Sequence, residues 1–118
     1  GTRAGEEAQK LFPGGKLIEY KGSTFDEKIA ETKEWLASGE STIYEATFEF
    51  DDILVMVDIL TKGKNGWEFY EVKSAAKVYK NKSNKVQDVY INDVAIQYYV
   101  LKGSGLDISS AFLVHINN

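Results

Sequence analysis

Two acidic residues and one lysine stand in segments that otherwise exclude water. Asp58 interrupts the apolar run ILVMVDIL, and Glu71 and Lys73 lie in the aromatic segment WEFYEVKSA that follows the turn signal GKNG. Side chains two residues apart on a strand share a face, so Glu71 and Lys73 project together. Antiparallel neighbours lie about 5 Å apart, which lets the Asp58 carboxyl meet Glu71 across a sheet.

Such a pair of carboxylates calls for a compensating positive charge. In a dry setting the two groups repel each other and are costly to desolvate. A hard divalent cation such as Mg²⁺ takes one or two carboxylates, keeps several waters and completes its shell with substrate phosphate oxygens. Because one ammonium does not neutralise two carboxylates, Lys73 alone is an insufficient counter-ion. The pattern therefore predicts a site for a hard divalent cation.

The Glu-x-Lys pattern carries little information without its context. The same spacing occurs in Glu19-Tyr20-Lys21 and Glu31-Thr32-Lys33. Only the copy at 71–73 lies in a predicted core strand that follows another core strand containing an acid. An exposed ladder of charges on an edge strand remains the alternative for Glu71 and Lys73, and a turn cap is the alternative for Asp58.

Composition bounds the class of protein. With 118 residues and 43% apolar content, the chain is expected to form one domain over 1–118. It has no cysteine, which excludes disulfides, thiolate catalysis and cysteine-held zinc or iron–sulfur sites. No apolar run approaches the roughly 20 residues of a membrane span, so we expect a soluble, cytoplasmic protein without membrane contact. A helix-like pattern starting directly at Gly1 suggests excision from a longer protein.

Two helices are expected before the first strand. TRAGEEAQKLF is typical of a short amphipathic helix, ended by PGG. STFDEKIAETKEWLASGE predicts a second helix, with Thr24 and Glu27 as a capping box. Its apolar stripe would consist of Phe25, Ile29 and Leu36.

The period then changes from helical to strand-like. TIYEATFEF alternates apolar and polar residues as a half-buried strand does, Asp51-Asp52 makes a turn, and ILVMVDIL is typical of a strand covered on both faces. After GKNG, WEFYEVKSA completes a meander. We predict a loop over 76–84, a helix over 85–102 and a final strand SSAFLVHI. The predicted fold is α/β (α+β), with the order helix, helix, three strands, helix, strand.

These features together resemble the PD-(D/E)XK nuclease superfamily in its RecB-like branch. The resemblance rests on Asp58, the triplet Glu71-Val72-Lys73 and a following helix that contains DVAIQYYVL. It covers most of the chain, and the predicted order matches that fold's α-β-β-β-α-β core, a restriction-endonuclease-like mixed sheet flanked by helices. It implies a nuclease that depends on Mg²⁺ or Mn²⁺ and acts on single- or double-stranded DNA, with other domains of a longer parent chain as partners.

The resemblance also assigns roles to residues. Asp58, Glu71 and the backbone carbonyl of Val72 would hold the metal. Lys73 would orient the attacking water and stabilise charge on the scissile phosphate. Gln97 matches the glutamine that RecB-like nucleases carry on the helix after the triplet.

Three departures from the family pattern stand out. Leu101 occupies the place where the branch commonly has a tyrosine, and the tyrosines fall instead at Tyr98 and Tyr99, of which Tyr98 is an additional candidate. Relatives often place a histidine or acid on the first helix, where Glu6, and next Glu7, is the substitute. Some relatives carry an iron–sulfur cluster, which a chain without cysteine does not hold.

Other polar residues have two interpretations each. The net charge of −4 argues against a broad grip on nucleic acid, but a lysine run could contact a phosphate backbone or form a solvated loop; its members are Lys77, Lys80, Lys82 and Lys85. Glu45 either faces solvent or lies on the side of the active site. Gln97 could simply bond Asp93 one turn earlier, and His115 is expected as a core or strand-end residue.

Two rival functions remain open. A catalytically inactive module of the same fold would bind nucleic acid or protein, and a metal titration separates it from a nuclease. An unrelated small α/β binding domain would leave Asp58, Glu71 and Lys73 dispersed in space.

Overall fold

The computed structural model of the protein describes residues 2–18, 24–74 and 93–116, with the side chains of the first helix from Glu6 onward. Within these ranges the helices are α1 (Thr2–Gln9), α2 (Phe25–Ala37) and α3 (Val94–Gly103). The strands are β1 (Lys16–Leu17), β2 (Thr42–Phe50), β3 (Ile53–Gly63), β4 (Gly66–Ser74) and β5 (Ile108–Ile116). The fold is therefore α+β, and the predicted order of helices and strands is confirmed apart from the additional two-residue β1.

The strands form one mixed sheet in the order β1-β2-β3-β4-β5. β2, β3 and β4 pair antiparallel, which confirms the predicted meander, whereas β1 pairs parallel with β2 and β5 pairs parallel with β4. A parallel neighbour needs a crossover connection, and α3 lies in the segment that joins β4 to β5. The position of α3 in that crossover brings it over the middle of the sheet.

Both hairpins of the meander close where turn chemistry predicts. Asp51 and Asp52 have φ angles of 57° and 63°, the left-handed values of a type I′ turn, and Phe50 pairs with Ile53 across it. The second hairpin closes at the pair Gly63–Gly66. These two turns fix the register of β3 against both of its neighbours.

The core lies between the meander and the helices. The main cluster of buried residues packs strand residues against Val100 and Leu101 of α3. A second cluster, beneath α1, joins Ala8 to Tyr44 and Ile59. The predicted half-buried alternation of β2 is only partly right, because Thr47 is fully buried and Phe50 is 37% exposed.

The helix α2 begins as predicted, but the most buried residues on its predicted face are polar. Thr24 accepts from the Glu27 backbone amide, and the Glu27 side chain accepts from the Thr24 amide, which completes the capping box. The buried residues of α2 are Lys28 and Thr32, with Phe25 and Ile29 only partly buried. Lys28 and Thr32 lie on the same face of the helix as the predicted stripe, of which Leu36 packs against the core.

The helix α3 begins at Val94, inside the span 85–102 predicted for it. Asp93 has an extended backbone and caps the helix, accepting from the amides of Ala95 and Ile96. A continuous helix through Asp93 is thus excluded, because the cap residue has a non-helical backbone. The predicted loop over 76–84 and the start of that helix at Lys85 lie outside the described residues. In the described ranges, no helix has both the length and the apolar character to cross a membrane.

Candidate active site

The site forms where the pairing of β3 with β4 stops. The register of these strands runs from Gly63–Gly66 to Ile59–Tyr70, and its next step places Asp58 opposite Glu71. There the Val72 amide donates to Asp58 Oδ2 at 2.7 Å. A carboxylate oxygen thus takes the place of a main-chain acceptor, and this hydrogen bond fixes the Asp58 side chain beside the triplet.

The Glu71 carboxyl is held from two sides. Its side chain is buried, with Gln97 Nε2 donating to Oε1 at 3.3 Å and Lys73 Nζ lying 3.9 Å from Oε2. The Lys73 side chain is 44% exposed, so its ammonium reaches both the buried carboxyl and solvent. The arrangement joins β4 to α3 through one carboxyl group.

Burial raises the pKa of both acids, and the charge of Asp58 raises that of Glu71 further. Burial, followed by the charge of Asp58, raises the pKa of Glu71 to about 7, against the hydrogen bond from Gln97 and the charge of Lys73. Burial also raises the pKa of Asp58, although the Val72 amide, the charge of Lys73 and a hydrogen bond with the Glu71 side chain oppose the rise. Near neutral pH the pair therefore tends to hold a proton between its carboxyl groups.

This donor set fits a hard divalent cation. Asp58 and Glu71 offer carboxylate oxygens in mutual contact, and the excess negative charge that keeps a proton there would equally be relieved by a cation. Mg²⁺ is commonly held by only one or two carboxylates together with water and substrate oxygens. Among the described residues, no group of three or more His, Cys, Asp or Glu side chains is arranged to hold a metal ion. The fit is thus to a two-carboxylate site.

Glu45 adds a third acid on the far side of Asp58. The pairs Tyr44–Ile59 and Ala46–Val57 put it opposite Asp58 in the β2–β3 register. Burial, and next the charge of Asp58, raises the pKa of Glu45, whereas the charge of Lys28 lowers it. Glu45 therefore lies next to Asp58 and is only partly exposed to solvent.

The remaining candidates lie apart from this cluster or outside the described ranges. Glu6 is exposed on α1, so the structure gives no buried first-helix acid beside Asp58. Tyr98 is exposed, with Lys102 Nζ 5.5 Å from its ring centre. His115, near the end of β5, is also exposed, so it is not a core residue. The lysines of the run Lys77, Lys80, Lys82 and Lys85 lie outside the described residues.

Gln97 and Lys28 show what local sequence patterns do not predict. The alternative that Gln97 bonds Asp93 is wrong, because Asp93 caps α3 and Gln97 donates to Glu71, 26 residues earlier. Lys28 is almost fully buried on α2, although nothing in a lysine on an amphipathic helix indicates burial.

No family model, curated protein or solved structure matches the chain. Its function is therefore inferred from the geometry of Asp58, Glu71, Lys73 and Gln97.

Proposed function

We propose that the chain is a metal-dependent nuclease domain of the PD-(D/E)XK superfamily, with a restriction-endonuclease-like fold of the RecB-like branch. One observation carries the proposal: the Asp58 carboxylate accepts from the amide inside the Glu71-Val72-Lys73 triplet, which draws two carboxyl groups and an ammonium to one point of the sheet. A further support is the order of the elements, which agrees with an α-β-β-β-α-β core.

Each residue has a distinct part in the proposed reaction, the hydrolysis of a phosphodiester bond. Asp58 and Glu71, with the Val72 carbonyl, would hold Mg²⁺ or Mn²⁺. When bound, such a cation polarises a phosphoryl oxygen and lowers the pKa of its water. Gln97 orients Glu71 by binding one of its oxygens, which leaves the other directed toward Lys73.

Lys73 supplies a fixed positive charge where negative charge develops on the phosphoryl group. Its half-exposed side chain lets the ammonium contact a phosphate arriving from solvent, while Glu71 keeps it in place. Preorganised charges of this kind stabilise a transition state without reorganisation during the reaction. DNA is the proposed substrate, and the lysine run would supply contacts to its backbone.

Two substitutions separate metal binding from catalysis. Asp58→Asn removes one negative charge from the ligand set, so it should lose both tight Mn²⁺ binding and cleavage. Lys73→Met keeps most of the apolar stem and deletes the ammonium, so it should bind Mn²⁺ at least as well as the parent and fail to cut. Calorimetric titration and a cleavage assay on single- and double-stranded DNA measure both effects. Cleavage at the parental rate by the Lys73→Met protein would contradict the proposed catalytic role.

A catalytically inactive module that binds nucleic acid or protein is the second candidate. It is favoured by the lack, among the described residues, of any group of three or more side chains set to hold a metal. Parent protein that binds DNA but takes up neither Mn²⁺ nor Mg²⁺ would make this second function the better one.

A further inference from the structure

His115 lies on the face of the sheet that carries Glu71 and Lys73. β5 pairs parallel with β4 in a register that is regular over 68–74, and this register places His115 beside Lys73. Paired residues of neighbouring strands point to the same face, and the strands lie about 5 Å apart. His115 is thus apart from the acids of the site but is the direct neighbour of its lysine.

This part of the face is open to solvent. β5 is the outer strand on its side of the described sheet. Leu113, which pairs with Glu71, is 53% exposed, and His115 is exposed as well. No described element therefore covers the face beside Glu71 and Lys73, and a ligand from solvent can reach it.

Lys73 and His115 form a pair of basic side chains with unused hydrogen-bond donors. Lys73 Nζ lies 3.9 Å from Glu71 Oε2, whereas His115 has no hydrogen-bond or ion-pair partner within the described ranges. β5 itself contains no Asp, Glu, Lys or Arg. An imidazole has an N–H donor whether it is neutral or protonated, and an ammonium has three donors. Such donors side by side on an open face fit an anion with several acceptor oxygens, such as a phosphate.

We propose that His115 is a substrate-binding residue of the same site and that it contacts a phosphate of the polynucleotide backbone. Asp58 and His115 lie on opposite sides of β4, with Lys73 between them. The phosphate at His115 is therefore not the one at the cation but its neighbour along the strand. This inference rests on the proposed function, because it assigns His115 to the binding of the same substrate.

His115→Ala should raise the KM for a single-stranded DNA oligonucleotide by about 3- to 10-fold and leave kcat near the parental value. A phosphate that does not react is bound equally in the ground state and in the transition state, so the loss of its contact weakens binding only. Steady-state cleavage with Mn²⁺ measures both constants. A fall in kcat at unchanged KM, or parental values of both constants, would overturn the proposal.

Two measurements exclude an effect on the fold or on the metal. Fluorescence anisotropy without a divalent cation should show the same loss of DNA affinity in His115→Ala. The thermal midpoint and the calorimetric Mn²⁺ affinity of this variant should match those of the parent, because His115 is exposed and is not a proposed ligand. A lower midpoint together with weaker Mn²⁺ binding would show a structural role and overturn the proposal.

Two further variants serve as controls. His115→Gln keeps a side-chain N–H donor and should recover part of the lost DNA affinity. Lys64→Ala removes a positive charge from the exposed turn between Gly63 and Gly66, at the other end of β4, and should leave KM unchanged. An equal rise in KM for Lys64→Ala and His115→Ala would mean that overall charge is the cause, and would overturn the proposal.

The outcomes distinguish this inference from the function on which it rests. If His115→Ala cuts DNA with the parental KM while Lys73→Met fails to cut, His115 is no part of the site and the proposed function stands. If the parent does not cut DNA but loses affinity for it on His115→Ala substitution, the proposed function fails and His115 remains a DNA-binding residue. If the parent neither cuts nor binds DNA, both proposals fail.

Discussion

The carboxyl of Glu71 is the group on which the chemistry of the site depends most. It is buried, it faces a second acid, and its pKa is raised to about 7 from an ordinary 4.5. Between these two pH values the folded protein keeps a proton that the unfolded chain has released. Folding therefore loses stability as pH rises from about 4.5 to 7, and the loss is complete above the folded pKa.

Glu71→Gln should abolish this contribution to the pH dependence. We expect the metal-free variant to be more stable than the parent at pH 8 by at most about 3 kcal/mol, with little difference at pH 4.5. Urea unfolding at both pH values measures the difference in free energy. A variant less stable than the parent at pH 8 would contradict the sign of the effect.

Gln97→Leu should change metal binding through the proton that the Glu71 carboxyl holds. The hydrogen bond from Gln97 lowers the pKa of Glu71, so its loss raises that pKa further and strengthens the competition between proton and cation. Mn²⁺ affinity should fall several-fold at pH 7 and recover above pH 8. Tyr98→Phe, at the exposed neighbouring position, is the matched control. A loss of affinity that is equal at both pH values would mean that Gln97 acts on the fold and not on Glu71.

Residue spacing predicts part of this geometry. The convergence of Asp58 with Glu71 follows from strand period and turn length, because each is a local property of the meander. The bond between Gln97 and Glu71 joins residues 26 apart, and the left-handed φ of Glu45 opposes its intrinsic preference. Both depend on how α3 and α2 pack, which no local pattern encodes.

At the scale of elements, the features that the sequence predicts are those that local chemistry specifies. The capping box of α2 and the turn at Asp51-Asp52 belong to this group, because a side chain or a tight turn specifies them within a few residues. The burial of Lys28 and Thr32 on α2 does not, since their polarity gives no indication that they turn inward. The two-residue β1 is likewise not predictable, because its pairing with β2 is entirely a tertiary effect.

The β2–β3 turn gives a prediction for stability. Asp52 has a φ angle of 63°, which glycine adopts without steric cost, and type I′ turns favour glycine at their second position. Asp52→Gly should stabilise the protein by about 0.5–1 kcal/mol in urea unfolding. Asp51 is left unchanged, because its Oδ2 accepts from the Tyr99 hydroxyl at 2.8 Å. Asp52→Ala is the opposing control, and a gain in stability with alanine would mean that strain at this position is not the cause.

At the scale of the whole molecule, the sheet places acids from three strands in one row and two helices against them. α3 contributes Gln97, and α2 contributes Thr32, whose hydroxyl accepts from the Thr47 amide of β2, while the chain as a whole carries a net charge of −4. A negatively charged protein that binds a polyanion needs a local concentration of lysine. The lysine run over 77–85 is the densest one in the sequence.

Replacing that run with glutamine should weaken DNA binding and flatten its dependence on salt. The four substitutions at Lys77, Lys80, Lys82 and Lys85 change the net charge from −4 to −8, because four positive charges are removed. The slope of log affinity against log salt should fall by about 1 for each phosphate that a lysine no longer neutralises. Affinity is measured by fluorescence anisotropy over a range of salt concentrations.

A control of equal charge separates position from net charge. The control variant replaces four other lysines with glutamine, all of them exposed: Lys10, Lys33, Lys62 and Lys64. Equal weakening in both quadruple variants would show that overall charge, and not the run over 77–85, governs binding.

The hydrogen bond from the Val72 amide to Asp58 makes the site observable by magnetic resonance without any substrate. An amide whose nitrogen lies 2.7 Å from a carboxylate oxygen has a strongly deshielded proton, so the Val72 amide signal should lie well downfield of its neighbours. It should also exchange slowly with deuterated solvent, because its hydrogen bond is partly buried. A diamagnetic cation such as Mg²⁺ that draws on the same carboxylate withdraws electron density from this bond, which shifts the signal upfield. One backbone resonance of a ¹⁵N-labelled sample thus follows the occupancy of the site directly.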